Sequence, residues 1–205
     1  MFLHIKSFLQ KYGIVLVIAA QLLVVLGLAF SQQLVIDKGL EVHLSLVPRD
    51  PRDQFRGDYV VLNYNISSVD YNRNGSYDSK PNVGDTVYVT LNNYSSNRNN
   101  WSVYSVELDK NDVYSGNNYV TLAGQITSIN FKGNCTIDDT NSNNYCYREQ
   151  YQLRVNYGIE TYYIPEGSGQ NLPSFQNAYA IVFVDQKSYK PVLKEVRIDG
   201  KKWPQ

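Results

Sequence analysis

The stretch FRGDYVVLNY, residues 55–64, gathers three side chains that could form a binding site. Arg56 and Asp58 are charged, Tyr59 carries a phenol, and the three surround Gly57. Glycine tolerates a positive φ angle, and an aspartate beside it can hydrogen-bond the amides of a turn. The pattern therefore predicts a turn at the entrance of a strand, with Arg56, Asp58 and Tyr59 gathered there. The same pattern is consistent with either a structural turn before a strand or a binding site.

A second stretch, YGIETYYIPEG, residues 157–167, holds two carboxylates that could act as an acid–base pair. Glu160 lies within a predicted strand and Glu166 in the turn after it. Six residues of extended chain separate two groups by about 20 Å, too far for joint catalysis without a bend at Pro165. We expect instead an ion pair between Glu160 and an arginine, either Arg154 or Arg56. The candidate binding residues of the two stretches are charged or phenolic: Arg56, Asp58, Tyr59, Arg154, Glu160, Tyr162 and Glu166.

No motif of a known reaction accompanies these residues. The chain has no HExxH, CxxC, GxSxG or phosphate-binding loop, and its only histidines are His4 and His43. His43 lies opposite Val42 and Leu44 in a strand pattern, which predicts an exposed histidine. We therefore predict that the protein is not an enzyme and holds no metal or cofactor.

An apolar run from Gly13 to Phe30 predicts a membrane-spanning helix. Gln21 is its one polar side chain, and Lys6 and Lys11 precede it. The positive-inside rule then places residues 1–12 in the cytoplasm, 13–36 as anchor and juxtamembrane segment, and 37–205 in the periplasm or extracellular space. A cleaved signal peptide is the alternative, although its apolar region would normally span only about 7–15 residues.

Beyond residue 41, apolar side chains recur at every second position, which is typical of strands. Leu62 and Tyr64 fall on the core face of one strand, and Tyr157 and Tyr163 on the core face of another. Gly124 is expected to mark a bulge or bend, and Gly158 a bulge. We expect a turn of helix at LPSFQ, polar loops at 70–82, 92–100 and 134–146, and a hairpin across DQKSYK. The predicted chain is mainly β: one N-terminal transmembrane helix followed by an antiparallel β-sandwich or barrel-like domain of about eight strands.

Charge and cysteine content narrow the possible partners. Lys and Arg total 19, as do Asp and Glu, so no net positive charge attracts nucleic acid. Cys135 and Cys146 bracket a polar loop, which predicts a disulfide in an oxidising compartment, with two free thiols as the alternative. A zinc site would need more ligands than these.

The anchor and the two motifs resemble the GDYXXLXY family of membrane-anchored bacterial proteins. The first motif matches at Gly57, Asp58, Tyr59, Leu62 and Tyr64, and the second at Tyr157, Gly158, Glu160, Tyr162, Pro165, Glu166 and Gly167. The resemblance spans most of residues 14–200. It implies an N-terminal anchor, an exported β-rich domain and association with multi-pass membrane proteins. The family is uncharacterised, so the resemblance implies no reaction and no catalytic residue.

Together these features predict a single-pass protein that contacts the lipid bilayer through its helix and binds a membrane or envelope partner through its exported domain. The alternative is a membrane-anchored hydrolase or peptidase of signal-peptidase-like type, because RGDYVVL is similar to a strand of those enzymes. The chain departs from their pattern: Ser45 is the nearest exported strand serine, and no lysine occurs between Glu41 and Lys80.

Overall fold

The structure is a computed structural model that divides the chain into two compact units, Met1–Lys38 and Gly39–Gln205. The residues that it describes are 2–47, 59–74, 79–93, 101–114, 116, 118–134, 148–165 and 177–204.

The first unit is a single helix, α1, which runs from Phe2 to Lys38. It extends beyond the predicted span in both directions because the flanking polar residues include no proline to interrupt a helix. The segment Val17–Lys38 is long and apolar enough to cross a membrane, with a mean hydropathy of 1.8 and none of its length buried. An N-terminal helix of this kind suits a membrane anchor or a signal sequence.

The second unit is built from antiparallel strands, which confirms the predicted fold class. A short 3-10 turn, Lys110–Asp112, lies among the described residues between two of the strands. The strands are β1 (Leu40–Ser45), β2 (Tyr59–Val61), β3 (Ser68–Asn74), β4 (Thr86–Asn92), β5 (Ser102–Glu107), β6 (Tyr119–Asn134), β7 (Arg148–Asn156), β8 (Thr161–Tyr163), β9 (Ala178–Val184), β10 (Pro191–Ile198) and β11 (Lys201–Trp203).

These strands form three sheets around one apolar core. The orders are β1-β9-β10-β11, β2-β8 and β3-β7-β6-β4-β5. In the third sheet, the edge strands β3 and β5 approach within 8 Å between Cα atoms, so this sheet curls toward a barrel. The core takes side chains from all three sheets, including Val42, Leu44, Val60, Val89 and Val182. The predicted hairpin across residues 185–190 joins β9 to β10.

Strand β3 corrects the predicted loop at 70–82. Residues 68–74 pair with β7 along their whole length, and Val69 and Tyr71 are buried. The polar residues of β3 concealed the alternation. Instead of marking a loop, Arg73 forms an ion pair with Glu149 on the neighbouring strand β7, and Asp70 forms one with Lys132 on β6, the next strand of the sheet.

Gly124 does not mark a bulge, which was one of its two expected roles, because the pairing of β4 with β6 continues through it without a register shift. A Cβ atom at this position would lie 2.4 Å from the Cγ1 atom of Val155 on the neighbouring strand β7. Glycine therefore allows close packing here. The irregularities in the β6–β7 pairing lie farther along β6, between Ile126 and Ser128 and between Phe131 and Gly133.

The predicted strand over YQLRVNYGIETYYIP is in fact two strands in different sheets. Gly158 has φ +77 and lies in the turn that separates β7 from β8. Its N–H donates to the side-chain oxygen of Asn156. The alternation shifts after this break. Tyr163 is therefore 77% exposed, contrary to its predicted core position, and Ile164 is buried.

His43 corrects a further expectation. Its side chain is only 11% exposed, lies 2.9 Å from a Glu41 carboxylate oxygen, and stacks on Tyr179 with ring centroids 5.1 Å apart. The partner strand β9 supplies Tyr179, a contact that no local pattern reveals.

Candidate functional site

The two sequence motifs meet in the two-stranded β2–β8 ribbon. Tyr59 pairs with Tyr163, and Val61 pairs with Thr161. Beyond β2, the N–H of Leu62 donates to the carbonyl oxygen of residue 160 at 2.6 Å. Segments about 100 residues apart in the chain thus form one local structure.

Two buried tyrosines connect the motifs through reciprocal hydrogen bonds. The hydroxyl of Tyr64 donates to the carbonyl oxygen of Ile159 at 2.5 Å. The hydroxyl of Tyr157 donates to the carbonyl oxygen of Ile66 at 2.9 Å. Each phenol therefore satisfies a carbonyl of the other segment, which meets the requirement that buried polar groups be paired.

Glu160 closes the turn between β7 and β8. Its carboxylate accepts the N–H of Tyr157 at 2.6 Å, three residues back in the chain. No ion pair joins Glu160 to Arg154 among the described residues. Arg56, the other expected partner, lies outside the described residues, so an ion pair of Glu160 with that arginine stays a prediction. Arg154 is exposed on β7, in the five-stranded sheet.

The electrostatic environment keeps both connecting phenols protonated. Burial, and then the nearby Glu160 carboxylate, raise the pKa of Tyr64 well above its ordinary value of 10.0. The same two causes, in the same order, raise the pKa of Tyr157 strongly. Both phenols therefore act as hydrogen-bond donors at neutral pH.

Tyr162 attaches the ribbon to the first sheet. Its half-buried side chain donates a hydrogen bond of 2.9 Å to the carbonyl oxygen of Trp203 on β11, and the two ring centroids are 6.0 Å apart. Burial raises the pKa of Tyr162. Sequence reasoning gave no indication of Trp203, because the contact joins distant parts of the chain.

The opposite side of the ribbon, which we call the ribbon face, consists of Tyr59, Val61, Thr161 and Tyr163. Side chains alternate along a strand, so these four lie opposite buried Val60 and half-buried Tyr162. The rings of Tyr59 and Tyr163 pack edge to face, with centroids 6.4 Å apart. This arrangement offers a small aromatic surface.

Several predicted residues lie outside the described residues: Arg56, Gly57, Asp58, Cys135, Cys146, Glu166, Gly167 and the LPSFQ segment. Pro165 is described and exposed. Among the described residues, no group of three or more His, Cys, Asp or Glu side chains could hold a metal ion. A separate open cleft of about 450 Å³ is lined by Ser79, Asp85, Thr86, Tyr88, Leu108, Asp109 and Lys110.

The fold and the junction of the two motifs define a β-rich domain that follows an apolar N-terminal helix. The chain belongs to the GDYXXLXY family, whose model, described as GDYXXLXY protein, matches residues 21–201. This confirms the resemblance carried by the two motifs, and the family is uncharacterised. Searches of curated proteins and of solved structures each return no match.

Proposed function

We propose that the protein is a single-pass bacterial membrane protein whose exported β domain binds a membrane or envelope protein through the ribbon face. The proposal rests mainly on Tyr163, which packs against Tyr59 and is 77% exposed, whereas Tyr64 and Tyr157 of the same two motifs are buried. Tyrosine is enriched at protein interfaces because its ring excludes water while its hydroxyl stays hydrogen-bonded.

The structure beneath the ribbon face supports this role. Tyr64 and Tyr157 hold the two segments that flank the ribbon to each other, and Tyr162 holds the ribbon to β11, all through hydrogen bonds to backbone carbonyls. A surface held rigidly in this way loses little conformational entropy when a partner binds. Since these hydroxyls are already engaged, the proposal includes no catalytic step.

The proposed orientation rests on charge around α1. Lys6 and Lys11 precede the apolar run, and the positive-inside rule then keeps the N-terminus in the cytoplasm. Protease added to intact cells with a permeable outer envelope should degrade the β domain and leave an N-terminal tag protected. Degradation of the tag with protection of the domain would reverse the orientation.

Site-specific photo-crosslinking in native membranes tests the binding surface. A photoreactive phenylalanine analogue replaces Tyr163 in the full chain, and a matched variant carries it at Tyr104, which is 48% exposed on β5. We expect an adduct with a membrane or envelope protein from position 163 and not from 104. Equal adducts at both positions, or an adduct from 104 alone, would contradict the ribbon face as the binding surface.

A second variant separates binding from folding. Tyr163→Ser should abolish co-purification of the crosslinked partner while leaving the melting temperature within about 2 °C of the wild type, because exposed substitutions rarely change stability much. Retained co-purification would refute a role for this residue.

A further inference from the structure

Three tyrosine side chains, which we call the tyrosine cluster, pack together on the five-stranded sheet. Tyr104 lies on β5, Tyr119 begins β6, and Tyr114 lies in the chain between these two strands. Each ring contacts both of the others at a steep angle, with centroids 4.5–5.3 Å apart. Val120 is buried in the core, so Tyr119 lies on the opposite, outer face of β6. Tyr104 and Tyr114 are each 48% exposed, so their rings form part of the protein surface.

The local backbone holds the tyrosine cluster in place. Strand β5 has one more residue than β4 between two of their paired positions, and that extra residue is Tyr104. A β-bulge of this kind re-aims a side chain, here toward Tyr119 beyond the intervening strand β4. The N–H of Tyr119 donates to the carbonyl oxygen of Gly116 at 3.1 Å, and a Cβ atom on Gly116 would lie 3.1 Å from the Cδ2 atom of Tyr119. Rings held in this way lose little conformational entropy when a ligand binds.

The polar groups beside the tyrosine cluster are uncharged. Residues 101–106 and 113–120 contain no Asp, Glu, Lys or Arg. Ser102 donates to the side-chain oxygen of Asn92 at 2.7 Å, Asn92 pairs with Tyr119, and the neighbouring Asn118 is exposed. Amides, hydroxyls and phenols can each donate and accept hydrogen bonds. The surface therefore suits an uncharged ligand that combines apolar faces with many hydroxyl groups.

Two other classes of ligand that use exposed aromatic rings fit this surface poorly. Single-stranded nucleic acid stacks its bases on such rings, but it also needs cations for its phosphates. Proline-rich peptides dock in a groove between rings, and these rings lie too close together to leave one. A sugar meets both requirements, because its C–H groups pack on the negative face of an aromatic ring while its hydroxyls bond to amides and phenols.

We propose that the tyrosine cluster binds a neutral carbohydrate chain, with the rings of Tyr104 and Tyr114 packed against sugar rings and the side chain of Asn118 bonded to sugar hydroxyls. This is a second binding function of the β domain. It differs from the ribbon-face proposal in both surface and class of partner, and it does not depend on that proposal.

The test is binding of the full chain to immobilised oligosaccharides, in a detergent without a sugar head group. The probes are neutral oligomers of glucose, mannose, galactose and N-acetylglucosamine, together with sulfated oligomers of the same length. We expect a neutral oligomer to bind and its binding to persist at high salt, because no ion pair contributes. Tyr104→Ala and Tyr114→Ala should each weaken binding by about fivefold or more. Tyr163→Ala is the matched control, because it removes an exposed tyrosine from the ribbon face and should leave carbohydrate binding unchanged.

A measurement on the unaltered chain covers the case in which an alanine variant fails to fold. The bound oligomer should slow the nitration of Tyr104 and Tyr114 by tetranitromethane, read by mass spectrometry, and leave that of Tyr163 unchanged.

Four results would overturn the proposal. They are no binding to any neutral oligomer, equal loss of binding in Tyr163→Ala and the two cluster variants, nitration of Tyr104 and Tyr114 that the oligomer does not slow, and a preference for sulfated oligomers that disappears at high salt. A protein adduct from a photoreactive residue at position 104 would also overturn the choice of a carbohydrate.

Discussion

Replacing the two connecting tyrosines with phenylalanine would test whether the reciprocal hydrogen bonds hold the two motifs together. Tyr64 is 1% exposed and Tyr157 is 5% exposed, so each ring keeps its packing while losing its hydroxyl. Tyr64→Phe leaves the carbonyl of Ile159 without this donor, and Tyr157→Phe does the same to the carbonyl of Ile66. The lost interaction is therefore the hydrogen bond alone.

The expected magnitude follows from the burial of these groups. An intramolecular hydrogen bond contributes about 0.5–1.5 kcal/mol net, and a buried group left unpaired costs about 1–3 kcal/mol. We expect each substitution to lower the free energy of unfolding by about 1–2 kcal/mol. For a domain of this size, that corresponds to a fall in melting temperature of about 2–8 °C.

The assay is urea and thermal unfolding of the full chain in detergent, followed by tryptophan fluorescence. Tyr163→Phe is the matched control, because Tyr163 lies in the same motif region but is exposed, and it should change stability by less than about 0.5 kcal/mol. Both buried tyrosines join the same two segments, so the double variant should depart from additivity. Equal losses in Tyr163→Phe and Tyr64→Phe would refute the reasoning, as would an unchanged Tyr64→Phe variant.

Three further predictions concern the same region. Tyr64 and Tyr157 have raised pKa values, so above about pH 10 the unfolded chain loses protons that the folded chain keeps, and the free energy of unfolding should fall by about 1.4 kcal/mol per pH unit for each phenol. Urea unfolding measured at several pH values checks this, and a Tyr64→Phe variant with an unreduced slope would contradict the raised pKa of Tyr64. Gly124→Ala should lower the free energy of unfolding by about 1–3 kcal/mol, because the new methyl group would overlap Val155; a raised melting temperature would exclude the close packing. Glu160→Ala should lower the free energy of unfolding in urea by about 1 kcal/mol, because the N–H of Tyr157 loses its acceptor. Glu160→Gln keeps an acceptor oxygen and should keep most of the stability, so equal losses in the two variants would argue against this hydrogen bond.

Patterns that repeat locally were read correctly from the sequence. The alternation beyond residue 41 predicted strands with one apolar face, and Val42, Leu44 and Leu46 are all buried in β1 or just after it. The apolar run of α1 predicted a long helix, because its residues favour that state without help from other elements. Each of these signals is complete within a few turns of helix or a few residues of strand.

Other features misled sequence reasoning because their cause lies on another strand. Strand β3 has polar residues between its buried ones, and its pairing with β7 decides its structure. The conformation at Gly158 shifts the alternation, so Tyr163 lies at the surface and not in the core. The glycine at 158 indicated an irregularity, but no local pattern showed that it separates strands of two different sheets, and none indicated β3.

The sequence by itself determined the apolar helix, the β-rich domain and the membership of a family with two separated motifs. Only the tertiary structure decided how the two motifs contact each other. Tyr64 and Tyr157 each find a carbonyl acceptor in the opposite segment, more than 90 residues away in the chain. Hydrogen bonds between such distant groups depend on how the sheets fold together, and that arrangement also left Tyr59 and Tyr163 together on the ribbon face.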